Sequence, residues 1–195
     1  MSWIRKLYDW TMSWAGRPMG HWALFFLAVV EASFFIIPPD LLLIALCAGK
    51  PKKSYFFVGV CAFGSVLGGV IGYAIGWGLL ETVGMPILQV LGLENAFEIV
   101  GGKYRENAGL AIFLAAFTPI PYKVFTIAAG AYSISFTVFI LASIFGRSLR
   151  FLLVGSAIYF FGPGIKSLID KYFNLFTIIF GVLLVAGFWI LKKGH

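Results

Sequence analysis

Residues 31–49 read EASFFIIPPDLLLIALCAG. Two prolines and two acids stand inside an apolar run that extends from about 22 to 49. A run of that length is long enough to cross a bilayer, since about 20 helical residues suffice. Proline removes a backbone donor and pushes the preceding residue out of helical geometry. Pro38 and Pro39 therefore break the helix in mid-run, with Asp40 at the break and Glu31 nine residues before it. Irregular backbone survives at membrane depth only where protein or a watery cavity covers it. The run is predicted to be a hairpin that enters and leaves by one membrane face.

A second apolar run, about 109–130, has the same plan. Residues 117–130 read FTPIPYKVFTIAAG, with Pro119 and Pro121 at the break and Tyr122 and Lys123 beside it. A shift of 81 residues lays Pro38 on Pro119, Ala48-Gly49 on Ala129-Gly130 and Tyr55 on Phe136. Each hairpin is followed by an apolar stretch long enough to cross, at 55–80 and at 136–162, and a third such stretch lies at 173–191. If each repeat is a hairpin plus one crossing helix, the second copy enters from the opposite side, giving an inverted repeat of the kind many secondary transporters use. The expected fold is an all-α polytopic membrane protein, with residues 21–195 as one membrane domain.

Composition agrees. Hydrophobic residues make up 61% of the 195 and charged residues 12%, about half the charged share of a soluble domain. The net charge of +7 comes from short clusters between apolar runs: Arg5, Lys6 and Arg17; Lys50, Lys52 and Lys53; Lys166 and Lys171; Lys192 and Lys193. That is the pattern of loops facing anionic headgroups and excludes a nucleic-acid partner. Two hairpins and three crossings put eight basic loop residues on one side and four on the other, whereas five plain spans give seven and five. The positive-inside bias thus prefers the hairpins and a cytoplasmic N-terminus in the plasma (inner) membrane. Residues 1–20 carry Trp3, Leu7, Trp10 and Trp14 at helical spacing with Arg5, Lys6, Asp9 and Ser13 between. This is an amphipathic helix suited to lie flat at the interface, or one packed on the rest of the protein. It lacks the uninterrupted core of a secretory signal.

Glycines 64, 68, 72 and 76 recur every four residues in GSVLGGVIGYAIG (64–76), a ribbon that lets another backbone approach closely; helix packing or a homo-oligomer contact both use it. The stretch 81–108 is the one polar segment and reads as a short extramembrane helix and loop. Cys47 and Cys61 sit in apolar runs as buried thiols. His21 stands at a span mouth and His195 at the terminus. No cluster has metal-ligand spacing, and no catalytic or cofactor motif is present. No cofactor and no enzyme activity are expected.

What remains is charge inside the bilayer. Glu31, Asp40, Lys123, Arg147 and Arg150 lie in apolar runs, with the Tyr122 hydroxyl beside them, and the two arginines share a helix face at spacing three. Each charge at the bilayer centre costs roughly 2.5–3.5 kcal/mol on insertion scales. Buried salt bridges that hold hairpins to helix are one account. The other is a polar cavity: three cations and two acids suit an anionic phosphate headgroup, which arginine clamps bidentately and lysine meets as a point charge. A buried carboxylate that takes up a proton is a further expectation.

These residues resemble a known family. The proline–acid tip of 31–49, the glycine ribbon, FTPIPYKVFTIAAG and FGRSLRF (145–151) are similar to the DedA/VTT superfamily, nearest its YqaA-like members, over roughly 22–162. The resemblance implies two re-entrant hairpins in an inverted repeat and movement of lipids, such as phospholipids or polyprenyl phosphates, between leaflets. It places the family's acidic residues on Glu31 and Asp40 and its basic residue after the second-hairpin proline, Pro119, on Lys123. Many members carry an arginine three residues before that proline, where this chain has Ala116; Arg147 and Arg150 stand as the compensating charge. The expected activity is lipid flipping or scrambling, with the hairpins moving against the glycine-rich helix. A proton-coupled small-solute carrier, a non-transporting scaffold and, last, an intramembrane enzyme are the rivals.

Overall fold

The computed structural model describes residues 19–33, 38–92, 94–118 and 120–161, without the side chains of residues 81 and 96. The expected amphipathic helix before residue 19, Pro119, the third crossing at 173–191 and the basic residues beyond 161 lie outside the described residues. All regular structure among the described residues is helical.

The first apolar run is split, as its prolines dictate, into α1 (Gly20–Ser33) and α2 (Asp40–Gly49). Pro39 stands at the α2 N-cap, where its missing N–H costs nothing. A short 3₁₀ turn, Pro51–Lys53, leads into α3 (Ser54–Leu79). The second run is split likewise into α6 (Ala108–Phe117) and α7 (Tyr122–Ala131), followed by α8 (Phe136–Phe161). Thr118, the residue before Pro119, has left the helix for extended geometry (φ −88°, ψ 170°), the consequence of a following proline ring. Helices α3 and α8 have 26 residues each and rise about 39 Å at 1.5 Å per residue. They are long and apolar enough to cross a membrane. The four short helices have 10 to 14 residues and rise about 15–21 Å, well short of the ~30 Å hydrocarbon core.

Side-chain contacts fix the directions. Val58 of α3 lies at Gly155 of α8 and the Tyr55 ring packs against Tyr159, while at the other end the Tyr73 ring packs against Phe136 and Phe139. The long helices are therefore antiparallel. Helix α1 runs in the sense of α3, with Phe25 at Gly64 and Val29 at Gly68. Helix α7 does too, with Tyr122 at Gly69 and Thr126 at Gly72. Helix α6 runs in the sense of α8, with Gly109 at Val138, Phe113 at Gly146 and Thr118 at Arg150. So α6 and α7 fold back on each other. Each long helix packs its own first short helix and the other unit's second: α1 and α7 on α3, α6 and α2 on α8. The starts of α2 and α7, and of α3 and α8, are 82 residues apart. The register thus differs by one from the 81 that the prolines suggest. Under it Pro39 matches Pro121, where the shift of 81 laid Pro38 on Pro119, and Gly64 matches Gly146.

The glycine ribbon serves two partners. Gly64 and Gly68 take α1, and Gly69, Gly72 and Gly76 take α7. A Cβ on Gly64 would stand 2.7 Å from the Phe25 carbonyl oxygen, and one on Gly76 or Gly130 would meet the facing backbone itself. Large apolar side chains on the outer faces, among them Phe63, Trp77, Phe145 and Phe160, are exposed, as a lipid solvent allows.

The polar stretch after α3 holds more order than one helix and a loop. A π turn (Leu80–Gly84) leads to α4 (Met85–Leu91), and Gly92, at φ +65°, ends it in the left-handed geometry glycine tolerates. Helix α5 (Glu94–Glu106) then docks on the far end of α7. The Tyr104 hydroxyl donates to the Phe125 carbonyl (3.0 Å), Arg105 Nε donates to the Tyr132 carbonyl (3.3 Å) and Phe97 stacks on Tyr132 at 4.5 Å. Burial pushes the Tyr104 hydroxyl well above the ordinary tyrosine range, so it remains a donor.

Because the seam is backbone-tight, Gly76→Ala and Gly130→Ala are expected to destabilise the fold by about 1–3 kcal/mol, the usual cost of overpacking. Gly78→Ala, whose added methyl meets nothing within 4 Å, is expected to be neutral or to stabilise by up to ~1 kcal/mol through helix propensity. Thermal unfolding of the three variants in detergent checks the opposite signs.

Candidate functional site

The two breaks deliver polar groups to the middle of α8. Glu31 lies in the last turn of α1, Asp40 opens α2, and Tyr122 and Lys123 open α7. Arg147 and Arg150 stand halfway along α8 on the side that faces them. All six side chains named from the sequence thus come to one place. Glu31 lies within electrostatic range of Arg147, Asp40, Arg150 and Lys123 together.

Arg150 is fully engaged. Its Nη2 donates to Asp40 Oδ2 at 2.9 Å and its Nε to Asp40 Oδ1 at 3.4 Å, so the guanidinium fork holds the carboxylate with both prongs. Its Nη1 donates to the Thr118 carbonyl at 2.7 Å. One side chain therefore ties the first break to the second. The Thr118 carbonyl went unnoticed in the sequence, although a residue forced out of a helix before proline necessarily presents a carbonyl with no helical partner.

Arg147 is more deeply buried, 3% exposed, and more loosely held. Its Nη2 stands 3.7 Å from Glu31 Oε2, an ion pair beyond hydrogen-bonding reach. Arg147 Nε and Glu31 Oε2 are both buried without a hydrogen-bond partner among the described residues. The guanidinium carbon lies 4.1 Å from the Tyr122 ring centroid and 5.8 Å from that of Phe151, within cation–π range of both. Tyr122 is in turn placed by Gly69, where a Cβ would come within 2.5 Å of the tyrosine hydroxyl. Its hydroxyl and that of Ser143, one turn before Arg147, lie close together without hydrogen-bonding geometry. Three cations and two carboxylates leave a formal charge of +1.

Ala116 is fully buried at the α6–α8 crossing, and a Cβ on Gly146 would stand 2.6 Å from its methyl. An arginine has no room there, and the positive charge comes from α8 instead. Among the described residues no group of three or more His, Cys, Asp and Glu has metal-binding geometry, and Cys47 and Cys61 are buried free thiols.

Residues 37–160 match the family described as VTT domain. The chain belongs to the VTT (DedA) family. It is 36% identical over 187 residues to an uncharacterized protein of Haemophilus influenzae, covering 96% of this chain and 97% of that one. It is 38% identical over 148 residues to an uncharacterized protein of Histophilus somni, covering 76% and 77%. No solved structure matches it. VTT proteins are membrane proteins of transporter type rather than enzymes. The VTT match takes in Asp40, Tyr122, Lys123, Arg147 and Arg150 and begins after Glu31.

Removing one partner of a buried ion pair strands the other charge. Asp40→Asn is expected to lower stability by about 2–3 kcal/mol, below the full cost of breaking a buried pair because both side chains keep some exposure. In a double-mutant cycle with Arg150→Leu the two losses should fall well short of adding, and strict additivity in detergent unfolding would deny the pair any coupling.

Proposed function

We propose that this chain is a membrane lipid transporter of flippase or scramblase type, which moves a phosphate-bearing lipid such as a phospholipid or polyprenyl phosphate between leaflets. The observation that carries the reading is the cluster of three cations and two carboxylates halfway along a membrane-spanning helix, at the level of two helix breaks. Charge at that depth is expensive, and where it occurs it marks substrate and ion paths. An open guanidinium fork, such as that of Arg147, and a lysine are groups that bind phosphate. Glu31 and Asp40 balance the cations while the site is empty. In this reading α1–α2 and α6–α7 are re-entrant hairpins. The antiparallel long helices make the two units an inverted repeat, with both tips at the midplane. The chain sits in the inner membrane with its N-terminus cytoplasmic.

The bidentate pairing of Arg150 favours a second reading, a scaffold in which the charges only hold helices together. Transbilayer movement separates the two. Purified protein in proteoliposomes with labelled phospholipids and a polyprenyl phosphate is expected to move lipid. Arg147→Ala and Lys123→Ala, still folded by their unfolding curves, are expected to lose that movement at least tenfold. Full movement by both variants, or none by wild type, favours the scaffold.

The hairpins have their own test. With Cys47 and Cys61 replaced, single cysteines at Met19 and Lys52 are expected to react with an impermeant maleimide from the cytoplasmic side, and those at Asn107 and Ser133 from the other. Labelling of Met19 and Lys52 from opposite sides would make the first run a plain span.

A further inference from the structure

The guanidinium of arginine presents a side-on fork through Nε and Nη2, and the two site arginines use that fork differently. On Arg150 the fork is closed on Asp40, at 3.4 and 2.9 Å, and Nη1 is taken by the Thr118 carbonyl. On Arg147 Nε has no hydrogen-bond partner among the described residues, and Nη2 has Glu31 Oε2 at 3.7 Å, too far for a hydrogen bond. The carboxylate oxygen it faces is itself unpartnered. A buried donor and a buried acceptor that approach each other without bonding are each unsatisfied, so the pair is the weak contact of the cluster.

Resting on the lipid-transport reading, we propose that Arg147 is the exchangeable cation of this site. A phosphate oxyanion closes on its open Nε/Nη2 fork and displaces Glu31, while Arg150 stays bound to Asp40 and Thr118 as the staple between the breaks. Tyr122, whose ring centroid lies 4.1 Å from the guanidinium carbon, supports the fork through a cation–π contact. The displaced Glu31 remains within electrostatic range of Lys123 and Arg150, near the site and able to return. Glu31 is thus a competitor for the fork. Its removal should strengthen anion binding, whereas removal of a merely structural partner would weaken it.

The test uses full-length protein in detergent, with inorganic phosphate and a soluble short-chain phosphatidic acid as probes and the ligand-induced rise in Tm as readout. Glu31→Gln is expected to tighten binding several-fold. Arg147→Lys, which keeps the charge but loses the fork, is expected to weaken it about tenfold or more. Arg150→Lys is expected to lower the Tm without ligand yet leave the apparent affinity within about twofold, since it does not touch the open fork. Binding of phosphatidic acid alone assigns the fork to a lipid headgroup, and binding of both probes assigns it to any phosphate. Unchanged or weaker binding by Glu31→Gln, equal losses in the two arginine variants, or no binding of either probe overturns the proposal. Binding at Arg147 without lipid movement in proteoliposomes sinks the transport reading and leaves the fork assignment standing. Lipid movement without tighter binding by Glu31→Gln sinks the fork assignment alone.

Discussion

A helix that breaks in hydrocarbon must bring its own hydrogen-bond partners, because lipid supplies none and each stranded backbone group costs several kcal/mol. Pro39 and Pro119 force two breaks, which lie in hydrocarbon under the hairpin reading. The chain answers with a guanidinium on an unbroken helix, Arg150, whose five donors suffice for a carbonyl at one break and a carboxylate at the other. The arginine then needs a counter-charge, and Asp40, the first residue after the first break, is that charge. The polar centre is in this sense a consequence of the breaks: prolines open the backbone, an arginine closes it, and an acid neutralises the arginine.

Glycine brings the breaks to one level. Because α3 and α8 are antiparallel and each accepts a short helix from both units, the start of α7 on α3 and the start of α2 on α8 arrive on the inner side of the same long-helix pair. That needs close approach. Tyr122 reaches beneath Arg147 only because Gly69 has no side chain, and the α7 backbone meets α3 at Gly76 and Gly130. On α8 the single Gly146 does the same for α6. The ribbon is therefore what converts two separate proline breaks into one site.

Much of this was legible in the sequence. Proline marks breaks whatever the context, so both interruptions and the charged residues beside them could be read directly. The two long spans could be read from apolar length and begin within one residue of expectation. Pairing could not be read. Nothing in the spacing of Arg147 and Arg150 says that the second takes Asp40 and the first Glu31, because that depends on where the end of α1 and the start of α2 meet α8. The one-residue register difference has a similar origin: proline positions mark where a helix fails, whereas the repeat follows where the next helix starts. The docking of α5 was hidden because Tyr104, Arg105 and Phe97 are ordinary surface residues until Tyr132 is brought under them.

The packing also bears on what can move under the transport reading. Sliding of the short helices along α3 was the motion the glycine ribbon suggested. The seam argues against it. Contacts at Gly68, Gly76 and Gly130 are backbone against backbone, and packed cores are bistable rather than smoothly deformable. Helix α7 is fastened to α5 by Tyr104 at its first turn and by Arg105 at its far end, where the Tyr73 hydroxyl on the Ile134 carbonyl also ties the chain to α3. The end of α1 is fastened by the Ser33 hydroxyl, which donates to the Gly68 carbonyl at 3.1 Å. Helices fastened in this way on a notched seam do not translate in small steps. What is loose is the Glu31–Arg147 contact, where two buried side chains face each other without bonding. A transport step in this molecule is therefore expected to begin as a change of partners at Arg147, with any movement of α1 following from it.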